Sequence, residues 1–237
     1  MMKKLIVRSV GMVALLSYIV GCTDPSQLQT AEAKAAPSHT PKPEAKVNNI
    51  NALIPAGWHI LEPVLGEKAI AKGDLNKDGI SDLATVIEKD TVKDEASPRS
   101  LLIAFGGKNN TYTLSIIAEN VILRADEGGV WGDPFESITI NRGSVLVSDY
   151  GGSNWRWYNK YRFRYQDHDW FLIGATSGSY FTGATTMDQA DEDDINFLTG
   201  RFVERRTDEQ GNTTTKKGTR RKKPLIRLTE FNPENVQ

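Results

Sequence analysis

One short segment of the chain has the residue types and the spacing of a calcium site. Residues 73–83 read GDLNKDGISDL, with side-chain oxygens at the first, third, fifth and ninth positions counted from Asp74. Ca²⁺ takes about six to eight oxygen ligands at flexible distances, and a glycine at position 79 permits the sharp turn that brings them together. The segment predicts a Ca²⁺ site with the ligands Asp74, Asn76, Asp78, the carbonyl of Ile80, and Asp82. An Asp/Asn-Gly turn without an ion is the alternative.

The flanks of this loop argue against an EF-hand. An EF-hand needs a bidentate Glu at its twelfth position, which is Thr85 in this chain. Residues 68–71 and 83–87 have the composition of β-strands rather than helices. The loop is therefore expected to join two strands.

The same stretch resembles the calcium loop of FG-GAP and VCBS repeats, which occur in integrin-type propellers and in bacterial surface proteins. The pattern of Gly-Asp, Asn, Asp-Gly and Asp-Leu is matched by residues 73–83, and the following apolar strand that ends in Phe-Gly is matched by residues 101–106. The resemblance covers roughly residues 68–116 and implies a bound Ca²⁺ that orders the turn. A propeller needs about four blades or more, and only one copy of the pattern is clear, so we expect a single embedded repeat.

A second candidate for ligand binding is an aromatic segment after two glycines at 151 and 152. Aromatic faces beside a cation suit a sugar ring or a partner side chain. The alternative is that these residues cap the open end of a β core. The candidate ligand-binding residues are Trp155, Arg156, Trp157 and Tyr158.

The remaining acidic residues and histidines give weaker signals. The acids at 188 and 191–194 are interpreted as a solvated loop, although a second ion site stays open. None of the three histidines has a zinc-binding spacing, and the sequence has neither a nucleophile elbow nor a phosphate loop. We expect no catalytic activity. The alternative is a carbohydrate-active hydrolase that uses the acids Asp126, Glu127 and Asp133.

The N-terminus has the pattern of a lipoprotein signal. Lys3 and Lys4 precede a mostly apolar run up to Val20, and the only cysteine follows at position 22. The sequence Ile-Val-Gly-Cys resembles a bacterial lipobox, which implies cleavage before Cys22 and acylation of that residue. We therefore expect a signal peptide at 1–21 and a membrane anchor at Cys22, in the outer membrane if the host is Gram-negative.

Composition divides the rest of the chain. Residues 22–48 are rich in Ala, Pro, Ser, Thr, Lys and Glu, which predicts a flexible tether. Residues 49–200 form the expected domain. Residues 201–237 hold ten Lys and Arg against five Asp and Glu, and they are interpreted as a basic β-hairpin with a C-terminal tail. That hairpin is expected to be a solvated edge, with docking of Lys216–Lys223 to an anionic envelope polymer as the alternative.

Short strand patterns between turn residues dominate residues 49–200. Residues 137–140 and 144–147 flank Asn-Arg-Gly, and residues 160–165 alternate basic with aromatic side chains. The patterns predict a mainly β fold, with a single antiparallel domain that is partly propeller-like or sandwich-like. The full chain has 29 Lys and Arg against 30 Asp and Glu, so it lacks the overall basic excess of a nucleic-acid-binding protein. We expect a lipid-anchored, non-catalytic binding or structural module, with an envelope glycan or a protein as its partner.

Overall fold

The computed structural model describes residues 46–91, 96–233 and 236. Within them, twelve strands form two antiparallel sheets, which confirms the predicted mainly β domain. The described residues belong to one compact unit. The signal peptide, Cys22 and the tether up to residue 45 lie outside the described residues. Val47 forms an isolated antiparallel bridge with Tyr112, two residues before the expected domain boundary at residue 49.

The smaller sheet contains the calcium-loop segment. Its strands are β1 (Trp58–Ile60), β2 (Ile70–Gly73), β3 (Asp82–Lys89), β4 (Arg99–Gly107) and β5 (Thr111–Glu119). The order is β1-β3-β4-β5, and β2 pairs with the first half of β3. The strands β3 and β4 are continuous apolar runs because both faces are covered: Val86 and Ile103 face the main core, whereas Ile87 and Leu102 face a second cluster near the N-terminal end of the domain.

The larger sheet is a simple up-and-down arrangement in chain order. Its strands are β6 (Phe135–Ile140), β7 (Val145–Gly152), β8 (Trp155–Gln166), β9 (Asp169–Phe181), β10 (Asp191–Asn196), β11 (Arg201–Thr207) and β12 (Thr213–Thr219). The expected turns are present: Arg142 and Gly143 have φ of 51° and 65°, and Asp167 and His168 have φ of 50° and 63°. Positive φ at both central residues matches the right-handed twist of the flanking strands.

One core lies between the two sheets. Leu101 of the smaller sheet and Val147, Phe163 and Leu172 of the larger sheet belong to the same buried cluster. The alternation in β8 has the predicted effect, because Tyr161 and Phe163 are buried while the basic residues between them lie on the opposite face. In the described part of the chain, no helix is long and apolar enough to cross a membrane.

One sequence interpretation needs correction. The acidic residues 191–194 lie in strand β10 and not in a loop, because the sheet continues through them from β9 to β11. The basic hairpin is present as β11 and β12; it pairs with β10 through β11, and β12 is the edge strand of the large sheet. The tail that follows returns to the core, where Phe231 packs against Tyr161 and Phe163 with ring centroids 4.9 and 5.1 Å apart.

Candidate functional site

The predicted calcium loop joins β2 to β3, and its polar side chains fold back onto its own backbone. Asp74 accepts hydrogen bonds from the backbone N–H groups of Lys77 at 2.7 Å and Gly79 at 3.1 Å. Asn76 Oδ1 accepts from the N–H of Asp78 at 3.0 Å, and Asp78 Oδ1 accepts from the N–H of Ile80 at 2.7 Å. These side chains therefore determine the shape of the loop.

Asp82, the first residue of β3, lies beneath the loop and is fully buried. Its Oδ2 accepts from the N–H groups of Leu75 at 2.7 Å and Asn76 at 3.2 Å, and its Oδ1 accepts from the N–H of Gly106 at 2.8 Å. Burial raises the pKa of Asp82 above its ordinary value, the neighbouring charge of Asp78 adds to this, and the three N–H donors oppose it. Asp82 thus joins the loop to the end of β4.

Gly106 can occupy this position only because it has no side chain. A Cβ atom there would lie 2.2 Å from the carbonyl oxygen of Ser81. Gly106 is therefore in direct contact with the Asp-rich loop, whereas the neighbouring Phe105 packs against Tyr165 and Trp170. Residues 73–83 and Gly106 thus belong to one local structure.

The donor chemistry of the loop suits Ca²⁺, because the predicted ligands are carboxylates, an amide oxygen and a main-chain carbonyl. An oxygen that accepts one N–H bond keeps a second lone pair. In the described part of the chain, however, no three His, Cys, Asp or Glu side chains are grouped closely enough to hold a metal ion. An ion here would have to rely on Asn76 and the carbonyl of Ile80 as well as on the acids.

The aromatic segment is divided between the two faces of β8. Trp155 is 64% exposed and packs against Phe181, whereas Tyr158 is 2% exposed and donates a hydrogen bond to Glu192. Burial and this hydrogen bond raise the pKa of Tyr158. Trp157 packs against the backbone of Gly151. The four candidate residues therefore do not line a single surface.

Only Arg156 of this segment joins an exposed aromatic cluster. Its guanidinium lies 4.5 Å from the ring centroid of Trp131, and Trp131 packs edge-on against Tyr150 at 4.9 Å. The hydroxyl of Tyr150 bonds that of Tyr180 at 2.7 Å. The sequence did not reveal Trp131 as part of this cluster, because 24 residues separate it from Trp155.

The acids of β10 have separate partners. Asp193 accepts two hydrogen bonds from Arg206, and Asp194 accepts one from Thr176 at 2.6 Å. Glu192 lies 3.5 Å from Arg205. Alternation along the strand places neighbouring acids on opposite faces, so this cluster does not converge on a common point.

A buried ionic network occupies the region proposed for a hydrolase. The side chain of Arg99 is 2% exposed and makes two hydrogen bonds to Asp133, at 2.7 and 2.6 Å, and one to Glu88 at 2.8 Å. Burial acts to raise the pKa of Asp133, but the hydrogen bonds from Arg99 and the Arg99 charge hold it below its ordinary value. Glu127 accepts from the backbone N–H of Arg124. Asp133 is therefore held ionised and paired.

Sequence reasoning missed Asp149, which is 1% exposed and has an Oδ1 atom without a hydrogen-bond partner. Burial raises the pKa of Asp149 to about 7, and the charges of Asp133 and Glu136 add to this effect. Nothing in the local sequence separates this aspartate from a surface residue, because its burial arises from the pairing of β7 with β6 and β8.

The basic hairpin is partly neutralised within the large sheet. Lys216 and Arg220 both pair with Glu204, at 3.3 and 2.5 Å, and these contacts lower the pKa of Glu204.

Comparisons with known proteins give no identification: no protein-family model, curated protein or solved structure matches this chain.

Proposed function

We propose that this protein is a lipid-anchored, non-catalytic module of the bacterial cell envelope, stabilised by Ca²⁺ at the loop 74–82. The lipid would be attached at Cys22, and residues 23–48 would hold the β domain away from the membrane. An envelope glycan or another protein would be its partner. The Ca²⁺ ion would neutralise the acids of the loop and strengthen the turn between β2 and β3.

The observation that carries the proposal is the convergence of the loop on Asp82. Three side chains of the loop, those of Asp74, Asn76 and Asp78, direct oxygens onto its backbone, and the carboxylate of Asp82 lies buried beneath it. Removing a carboxylate from water is costly unless a cation or several donors compensate. Three N–H donors compensate Asp82 in part, but its pKa stays raised by burial and by the charge of Asp78. A hard cation bound by Asp74, Asn76, Asp78, Ile80 and Asp82 would supply the rest of that compensation.

Thermal unfolding in Ca²⁺ and in excess chelator tests the ion. A ligand that binds only the folded state stabilises it by RT ln(1 + [L]/Kd). A free Ca²⁺ concentration about 100 times the Kd should therefore add about 2.7 kcal/mol to the free energy of unfolding. The Asp78→Asn substitution should remove this increase. Asp208→Asn is the matched control, because Asp208 also accepts backbone N–H bonds in an exposed turn but lies outside the loop.

Equal midpoints with Ca²⁺ and with chelator would reject the calcium site, and so would an increase that Asp78→Asn leaves unchanged. The lipid anchor is tested separately by expressing the full chain in a bacterium fed radiolabelled palmitate. The label should enter the protein and be lost in Cys22→Ser. A membrane-free, unlabelled wild-type protein would reject the anchor and leave the calcium result unaffected.

A further inference from the structure

The outer face of the large sheet carries a basic groove that the sequence motifs did not indicate. In β8, the side chains of Lys160, Arg162 and Arg164 lie on the face opposite the buried Tyr161 and Phe163. The turn between β6 and β7 brings Arg142 to the same place. Four basic residues from two elements thus lie side by side on a surface that faces away from the core.

These residues line a groove of about 340 Å³. The volume is at the small end of the range of ligand pockets, about 300 to 1,000 Å³. Gly174 of β9 also lines the groove, and a Cβ atom there would lie 3.3 Å from the backbone oxygen of Ile195. The opposite side of the groove is formed by Thr176, Asp194 and Asn196.

The positive charge of the groove is largely uncompensated. Within residues 46–91 and 96–233, none of the four basic residues forms an ion pair, and Asp194 is the only acid in the lining. The Nε atom of Arg164 is buried without an acceptor. Burial and the charges of Arg142 and Arg164 lower the pKa of Arg162. An anion in the groove would relieve this repulsion and give Arg164 an acceptor.

The uncharged part of the lining is mixed. Leu146, Ile173, Ala175, Ile195 and Leu198 are apolar, whereas Thr176 and Asn196 place a hydroxyl and an amide group beside the cations. The hydroxyl of Thr176 donates to Asp194 and keeps lone pairs that can accept from a ligand hydroxyl. Such a lining suits a ligand that carries hydroxyl groups and apolar C–H faces as well as negative charge. The lining contains no aromatic side chain, whereas single-stranded nucleic acids are held by stacking of bases on aromatic rings.

We propose that the groove between Arg142, Arg162, Arg164 and Asn196 binds an acidic saccharide, whose carboxylate or sulfate groups pair with the arginines. The hydroxyl groups of the sugar bond to Thr176 and Asn196. This site is on the other sheet from the calcium loop, so the inference does not depend on Ca²⁺ binding. It extends the proposed function by naming a ligand class and the residues that select it.

Calorimetric titration of the full chain with defined tetrasaccharides tests the groove. The probes are a tetragalacturonate, a sulfated tetrasaccharide and a neutral tetrasaccharide of the same length. At least one acidic probe should bind at least tenfold more tightly than the neutral probe, and its affinity should fall as salt is raised. The double substitution Arg162→Gln with Arg164→Gln should weaken binding at least tenfold.

The matched control is Arg220→Gln with Arg221→Gln, which removes the same charge from the basic hairpin and should change affinity less than threefold. Lys160→Gln is a milder groove variant, which keeps the test valid if the double variant is destabilised. Thermal unfolding of each variant identifies such a loss of stability.

Four results would overturn the proposal. The first is equal affinity for neutral and acidic probes, and the second is no binding of either acidic probe. The third is loss of binding in the hairpin variant while the groove variants bind as the wild type does. The fourth is tighter binding of a single-stranded oligonucleotide, or of anionic lipid vesicles, than of the saccharides. The third result would transfer the binding site to the hairpin.

Discussion

The carboxylate of Asp82 and the backbone N–H of Gly106 are joined by a hydrogen bond of 2.8 Å, although 24 residues separate them in the chain. The same carboxylate accepts two N–H groups of the loop that precedes β3. Through this one side chain, the position of the loop is determined by the end of β4. A substitution in the loop should therefore alter the end of β4, and a substitution at the end of β4 should alter the loop.

Substitution of Gly106 by Ala should destabilise the domain. A Cβ atom at this position would lie 2.2 Å from the carbonyl oxygen of Ser81, so backbone must move and the bond to Asp82 must lengthen. Overpacking of this kind costs about 1–3 kcal/mol, measurable as a lower midpoint of urea unfolding. Lys72→Ala on the exposed side of β2 is the control and should change stability by less than about 0.5 kcal/mol. Equal midpoints for Gly106→Ala and wild type would contradict this packing.

Arg99 should be the most sensitive charged residue of the domain. Its guanidinium is buried between Glu88 of the smaller sheet and Asp133, which precedes the first strand of the larger sheet by two residues. Breaking a buried ion pair leaves an uncompensated charge and costs about 3–5 kcal/mol. Because Asp133 is 39% exposed, we expect Arg99→Met to lower the free energy of unfolding by about 3 kcal/mol, the lower end of that range. Unfolding in denaturant measures this loss.

The exposed Arg124 supplies the comparison for that experiment. Arg124→Met removes the same charge from the same region and should have little effect on the unfolding midpoint. If the two substitutions were equally mild, the Arg99 network would not hold the sheets together in solution.

Local sequence patterns predicted the strands and turns well, since they depend on neighbouring residues. The turn at Arg142 and Gly143 and the turn at Asp167 and His168 both follow from short-range rules. The contact between Gly106 and Asp82 was present only as an unexplained part of a resemblance. Its physical reason, the close approach of Ser81, required the fold.

The sites that depend on sheet pairing could not be predicted from sequence. The alternation of Lys160, Arg162 and Arg164 with aromatic residues was recognised, but it was used only to assign the buried face. Arg142 joins them because β6 and β7 pair beside β8. The strand β10 was missed because acidic residues are unfavourable in isolated strands, whereas here Arg205 and Arg206 of β11 compensate them.

Tyr158 is expected to stabilise the fold rather than to bind a ligand. It is buried, and its hydroxyl donates to Glu192. Tyr158→Phe should lower the free energy of unfolding by about 1–2 kcal/mol, because a part-buried carboxylate loses a donor. The exposed Trp155 is the control, and Trp155→Phe should change the free energy of unfolding by less than about 0.5 kcal/mol. If Tyr158→Phe were neutral, the contact with Glu192 would contribute nothing to stability.

Asp149 should make the stability of the domain fall as pH rises. Its pKa is raised to about 7 in the folded chain, mainly by burial, whereas an unfolded aspartate titrates near about 3.9. Below about pH 4 the carboxyl is protonated in both states and carries no penalty. Between about pH 4 and 7 the folded state binds one more proton than the unfolded state, so the free energy of unfolding decreases with pH and levels off above 7.

Asp149→Asn isolates this effect, because the amide cannot ionise. Relative to wild type, the variant should gain up to about 4 kcal/mol of stability between pH 4 and pH 8. The folded pKa of about 7 and the unfolded pKa of about 3.9 lie about three apart, and each pH unit between them changes the free energy of unfolding by about 1.4 kcal/mol. Contributions from Asp133, Glu127 and Glu136 occur in both proteins and largely cancel in the difference. Urea unfolding at pH 4, 6 and 8 measures it. Parallel pH profiles for the two proteins would show that Asp149 is solvated or paired in solution, and the network around Arg99 would then be less tightly packed than its contacts indicate.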